Sequence, residues 1–221
     1  MGLILETVFI IVDYIINMAI AIFLTGYSGS GKTTLARLLR AKYGFVSFKV
    51  GDYIKAAAKK AGVDHKIFTE ELMQRGGDAA VMDAIAPFLK GVMKGKNGII
   101  IEGVNNVASY DRLRSVLERT KSLLFVLKAP TRTRVTRVMG RKDIGKEAAK
   151  QYVSTREADR RDMGMEALEK VATRVFVNNY PNIREFLRAF EAEVATRTRY
   201  LNQLRSRPRS KKSNRPTQKR K

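Results

Sequence analysis

Apolar and polar residues along the chain fall into two kinds of stretch. Short, nearly continuous apolar runs occur at 19–24, 45–50, 98–102, 122–127 and 173–178, and longer segments with a helical period separate them. Unbroken apolar runs of this length suit strands buried on both faces, which is the environment of a parallel sheet. Helices are predicted at 52–61, 69–74, 78–94, 109–120, 131–140 and 146–163. A last one begins near Asn182 and places Ile183, Leu187, Phe190, Val194, Leu201 and Leu204 on one face. Gly76 and Gly77 are expected to stop one helix, Asp78 to cap the next, and residues 141–145 to form a polar break. Strand and helix alternate throughout, with no internal repeat. The prediction is a three-layer α/β fold around a five-stranded parallel sheet.

The first strand runs into Gly26-Tyr27-Ser28-Gly29-Ser30-Gly31-Lys32-Thr33, and a helix-forming segment follows. This matches the phosphate-binding loop G-x-x-x-x-G-K-[ST] in the strand-to-helix context that it requires. A loop wrapped around a polyphosphate turns backbone N–H groups inward, and Gly26, Gly29 and Gly31 permit that path. The helix that follows aims its positive end at the phosphates. Ser28, Ser30 and Thr34 complete the binding loop. Lys32 reaches the β- and γ-phosphates, and the Thr33 hydroxyl is placed to hold Mg²⁺.

Two carboxylates stand where strands end, the place where ligands gather in such sheets. Asp52 follows the second strand and suits either a proton acceptor and Mg²⁺ partner or a plain helix cap. Glu102 closes the third strand and suits Mg²⁺ or a bound hydroxyl, against the alternative of an ordinary strand-end acid. Arg134, Arg137 and Arg141 recur at i, i+3 and i+7 on one helix, and Arg156 and Arg160 at i, i+4 on the next. Phosphoryl transfer needs positive charge in a water-poor site, so Arg137, Arg141, Arg156 and Arg160 are assigned to phosphate contact. Arg161 has Glu157 one turn before it and reads as a surface ion pair. His65, the one histidine, reads as a surface residue.

Charge changes the picture at the carboxyl terminus. The formal net charge is +22, and residues 197–221 hold eleven Lys/Arg and no acid. From Arg205 onward no apolar residue occurs, so residues 206–221 are expected to be a disordered basic tail. Its partner is read as nucleic acid, RNA included, bound through phosphates, with anionic lipid as the alternative. Residues 3–24 are mostly apolar and about long enough to span a bilayer. Glu6, Asp13 and Asn17 interrupt them, and each acid costs about 2.5–3.5 kcal/mol at mid-membrane. Residues 1–17 are therefore read as an apolar extension to a domain spanning 18–205, with membrane association through residues 1–24 the less favoured reading. Cysteine is absent, which excludes a disulfide framework and fits a cytoplasmic setting.

These residues together resemble a family. The phosphate loop, Val50-Gly51-Asp52 after strand two, Ile99-Ile100-Ile101-Glu102-Gly103, the paired arginine helices and Arg174-Val175-Phe176-Val177-Asn178 are similar in order to small P-loop kinases. The likeness is to nucleoside monophosphate kinases and dephospho-coenzyme A kinases, including an adenylate-kinase-like group, over residues 18–195. It implies ATP and Mg²⁺ as cofactors and a small nucleotide-like phosphate acceptor beside Asp52. It also implies a short lid carrying Arg137 and Arg141, closure by Arg156 and Arg160, and Asn178 near the adenine. Two departures stand out: strand three lacks the family's acceptor-binding arginine, for which Arg112 is a substitute, and the lid is very short. The other functional class left open is an RNA- or ribosome-associated NTPase that uses hydrolysis as a switch.

Overall fold

The computed structural model describes residues 19–118 and 120–197, and the amino-terminal extension and basic tail lie outside them. Five strands form one parallel sheet: β1 (Ala19–Gly26), β2 (Val46–Lys49), β3 (Gly98–Glu102), β4 (Thr120–Lys128) and β5 (Arg174–Val177). Their order is β2-β3-β1-β4-β5, so β1 is central and the chain reverses direction of growth around it. A crevice at such a reversal lies beyond the strand ends, and the phosphate loop leaves β1 there.

Side-chain alternation on the central strands makes two cores. Ala21 and Phe23 point to one, together with Phe48, Ile99, Ile101, Leu124 and Val126. Ile20, Ile22 and Leu24 point to the other, with Ile100, Phe125 and Leu127. The second core is closed by helix α1 (Lys32–Tyr43), through Leu35 and Leu39, and by α8 (Ile183–Arg197), through Phe186, Phe190 and Val194. The first is closed by α2 (Val50–Ala61), α3 (His65–Met93) and α4 (Val107–Val116), and by the short α7 (Met165–Val171). A hairpin of α5 (Thr131–Lys142) and α6 (Lys146–Asp162) carries its own small core of Val135, Val138, Ala149 and Val153.

Several boundaries differ from the sequence reading. Helix α2 begins at Val50, and Lys49 occupies its cap position, so Asp52 lies inside the first turn and does not cap it. The expected stop at Gly76 and Gly77 is present: Gly76 (φ −168°) and Gly77 (φ 62°) leave helical geometry and divide α3 into two helical segments. That element starts earlier than expected because Asp64 accepts the Lys66 N–H at 2.8 Å. Asp78 accepts the Ser109 hydroxyl at 3.4 Å. Helix α7 was not predicted: Gly164 (φ 98°) separates it from α6, and it is too short for a period to register, although Met165 and Leu168 are buried. Among the described residues no helix is long and apolar enough to cross a membrane.

Candidate active site

The loop from Gly26 to Lys32 forms a cradle because its glycines adopt backbone angles that other residues resist. Gly26 (φ 128°) passes so close to β4 that a Cβ there would lie 2.0 Å from the Leu127 carbonyl oxygen. Gly31 (φ 104°) leaves no room either, since a Cβ would meet the Asn178 amide nitrogen at 2.6 Å. The Lys32 ammonium donates to the carbonyls of Gly26 and Tyr27, both at 2.8 Å, and so spans the mouth of the loop. Burial pushes its pKa down to about 7, and the guanidiniums of Arg160, Arg141 and Arg134 add to the shift against the opposing pull of Glu102. Cations converging on a buried amine make a site that lacks negative charge, which a polyphosphate would supply.

Thr33 donates its hydroxyl to Glu102 Oε2 at 3.2 Å. Glu102 is buried at the end of β3, and its Oε1 has no hydrogen-bond partner. A hydroxyl and a half-satisfied buried carboxylate side by side fit Mg²⁺, which takes few protein ligands and keeps waters and phosphate oxygens. Asp52 is not brought to them. It is exposed and lines a separate cavity of 310 Å³ with Arg40, Ser47 and Lys49.

A cavity of 740 Å³ extends from the loop, with Ser28, Gly29, Gly31, Thr33 and Thr34 along its floor. The α5–α6 hairpin forms one wall and presents Arg137, Arg141, Tyr152 and Arg160. Arg137 donates to the Gly29 carbonyl at 3.1 Å, so the hairpin is docked on the loop. Arg160 is deeply placed, and its Nη1 is buried without a partner; burial, then the neighbouring Arg156, lowers its pKa. Arg156 is placed differently. It is exposed, pairs with Asp159 at 3.2 Å and lies 5.8 Å from the centroid of the Tyr152 ring; it does not line the cavity, although Tyr152 and Arg160, one turn to either side on the same face, do. The i, i+4 spacing alone could not distinguish the two arginines.

The third arginine of α5 does something different from its neighbours. Arg134 is buried under the loop, pairs with Glu157 of α6 and lies 5.4 Å from the centroid of the Tyr27 ring. Glu157 also receives Arg161 at 2.8 Å. Although burial opposes it, this pairing holds the Glu157 carboxyl below the usual carboxylate range. Arg134 therefore ties the two hairpin helices together beneath Tyr27.

At the far end of the cavity the sequence reading places Asn178. Asn178 lines the cavity, donates its side-chain amide to the Ser30 carbonyl at 2.9 Å and so supports the loop backbone, while its buried Oδ1 has no partner. Tyr180, Pro181, Ile183 and Phe186 provide the apolar wall, with the Tyr180 and Phe186 rings 6.2 Å apart. Sequence reasoning missed these residues and Tyr152. Tyr152 lies one turn before Arg156, and Phe186 lies on the face of α8 that turns inward, so helical spacing could have indicated both. Arg112, the substitute for the missing acceptor arginine, is paired with Asp83 on the surface. His65 is exposed, as expected.

The fold and this site are those of a P-loop protein of the nucleoside monophosphate kinase-like class. More particularly, the chain belongs to the AAA domain family whose sequence model matches residues 22–164. A UPF0200 protein of Pyrococcus horikoshii is 27% identical over 183 residues, which is 79% of this chain and 95% of that one. A shikimate kinase of Chlorobaculum parvum is 32% identical over 109 residues, 49% of this chain and 54% of that enzyme. The crystal structure of TT1252 from Thermus thermophilus shares the fold, with a TM-score of 0.57 and 22% identity over 81% of this chain and 98% of that one.

Proposed function

We propose that this protein is a kinase that transfers the γ-phosphoryl group of ATP, with Mg²⁺, to a small nucleotide-like acceptor. One observation carries the reading: the α5–α6 hairpin is docked on the phosphate loop through Arg137 and turns Arg141 and Arg160 into the cavity beside Lys32. Phosphoryl transfer passes through a loose transition state with charge spread over the phosphoryl oxygens, and positioning and positive charge supply most of the catalysis. The loop amides and the amino end of α1 hold the β- and γ-phosphates. Lys32 takes up a proton when those phosphates arrive and neutralises the bridge between them. Arg141 and Arg160 face the phosphoryl group from the hairpin side. Thr33 and Glu102 would hold Mg²⁺, which supplies charge neutralisation on the phosphate oxygens. Tyr180 and Phe186 offer an apolar wall on which a flat base can rest.

ADP release measured across nucleoside monophosphates, dephospho-coenzyme A and shikimate tests the proposal. Turnover should require one acceptor class and vanish in Lys32→Ala with the fold retained. ADP release that no small acceptor stimulates, but RNA does, would favour a hydrolytic switch instead.

A further inference from the structure

Basic charge on the folded domain is concentrated at one edge. Residues 27–63 contain eight Lys/Arg (Lys32, Arg37, Arg40, Lys42, Lys49, Lys55, Lys59 and Lys60) and a single acid, Asp52. They build α1, β2 and α2, and β2 is the edge strand of the sheet. Lys32 belongs to the phosphate site and Lys42 is paired with Glu191 on the α8 side of α1. The other six enter no ion pair among the described residues.

Helical geometry sorts them onto one surface. On α1 the buried positions are Leu35, Ala36 and Leu39, which leaves Arg40 exposed on the flank toward β2 and Arg37 exposed on the outer face one turn before it. On α2 the buried positions are Val50, Ala57 and Ala58, which leaves Lys55 and Lys59 exposed at i, i+4. The cavity lined by Arg40, Ser47, Lys49, Asp52, Tyr53 and Ala56 joins the two helices across the strand, so Arg40 and Lys49 share one surface with a single carboxylate, Asp52, and Lys55 and Lys59 extend it as a band along the α2 face that carries Asp52 and Ala56. A lysine on an edge strand can be explained as protection against edge-to-edge pairing. That accounts for Lys49, but not for cations on the flanking helices.

We infer that this edge is a docking surface for the phosphodiester backbone of a nucleic acid, separate from the nucleotide cavity. Arginine and lysine spaced one helical turn apart offer repeated phosphate pairing without reading sequence. Anionic lipid fits the band less well, because no large exposed apolar side chain accompanies Arg37, Arg40, Lys55 and Lys59 to anchor it in a bilayer; Val63, just past α2, lies outside the band.

The test uses the full chain and a quadruple variant, Arg37→Glu, Arg40→Glu, Lys55→Glu and Lys59→Glu. Its control carries the same charge change at exposed positions elsewhere: Lys90→Glu, Lys94→Glu, Lys96→Glu and Lys170→Glu. Anisotropy titrations with mixed-sequence RNA and DNA oligonucleotides over a salt series read affinity and its salt slope. The tail is constant, so its contribution cancels. At about 0.7–0.9 in slope per neutralised phosphate, removing four cations makes log K against log salt shallower by up to about 3.6. The edge variant should lose at least tenfold more affinity than the control at low salt, with its melting temperature and cavity binding of ATP retained. Should the edge variant refold poorly, the same four positions changed to Ala give the reading at half the charge change. Equal losses in edge and control variants, or no loss in either, overturn the inference. So does edge-dependent binding of phosphatidylserine vesicles without edge-dependent binding of oligonucleotides.

Discussion

Lys32 meets two opposed requirements: it must be charged when phosphates are bound, yet it is buried beside three arginines when they are not. Its folded pKa of about 7 lies below the ordinary 10.5. Between those values the unfolded chain holds a proton that the folded chain has released, so stability rises with pH across that window. Below about pH 7 the full cost of the buried cation is present. Denaturation midpoints should therefore climb from about pH 7 toward 10 in the wild type, and Lys32→Met should abolish that climb. By the same linkage, ATP binding near pH 8 should take up a proton, read by calorimetry in buffers of different ionisation enthalpy; no proton uptake would contradict the placement of Lys32. Arg160 and Arg156 separate at this scale too. Arg160→Ala should lower kcat about a hundredfold with a smaller change in ATP affinity, because it acts on charge that develops during transfer. Arg156→Ala should stay within about threefold of wild type, since its exposed guanidinium contacts Asp159 and the Tyr152 ring and does not line the cavity. Equal losses from the two would contradict this division.

The α5–α6 hairpin is the element that turns a phosphate-binding loop into a transfer site, and Arg134 and Glu157 hold it together beneath Tyr27. Removing one partner of a buried pair leaves an uncompensated charge, a loss of about 3–5 kcal/mol. Glu157→Ala should approach that figure in chemical denaturation, and the paired carboxylate should make stability fall as acid titrates it, whereas Arg161→Ala should cost under about 1 kcal/mol. Sequence spacing revealed that α5 and α6 carry arginines, and the strand-loop-helix of the phosphate site was legible letter by letter, because glycine positions and an apolar run encode it locally. The division of labour among the arginines was not legible. Arg134 and Arg137 differ by three positions, and which one sinks under Tyr27 is fixed by packing against Glu157 and Gly29, partners distant in sequence. Asn178 was placed in the right region, but its support of the loop was not legible for the same reason: its hydrogen bond to Ser30 joins residues 148 positions apart. Helix α7 escaped because one or two turns give no period.

The molecule as a whole carries its charge in separate places: cations within the nucleotide cavity, an unpaired basic band along the β2 edge and the tail beyond residue 205. Deleting residues 206–221 removes eight positive charges: Arg207, Arg209, Lys211, Lys212, Arg215, Lys219, Arg220 and Lys221. Small-acceptor turnover should stay unchanged and nucleic-acid affinity should fall with a shallower salt slope, by about 0.7–0.9 for every phosphate that the tail had neutralised. An unchanged slope would leave the β2 edge as the sole candidate surface. Phosphoryl transfer is distinguished from hydrolysis by following the γ-phosphorus of ATP by ³¹P NMR in the presence of the acceptor that best stimulates ADP release. Under transfer, the signal reappears as a phosphoester or phosphoanhydride on the acceptor, in step with ADP, and Lys32→Ala yields neither. Accumulation of inorganic phosphate equal to the ADP formed, with no new acceptor resonance, would contradict the kinase assignment.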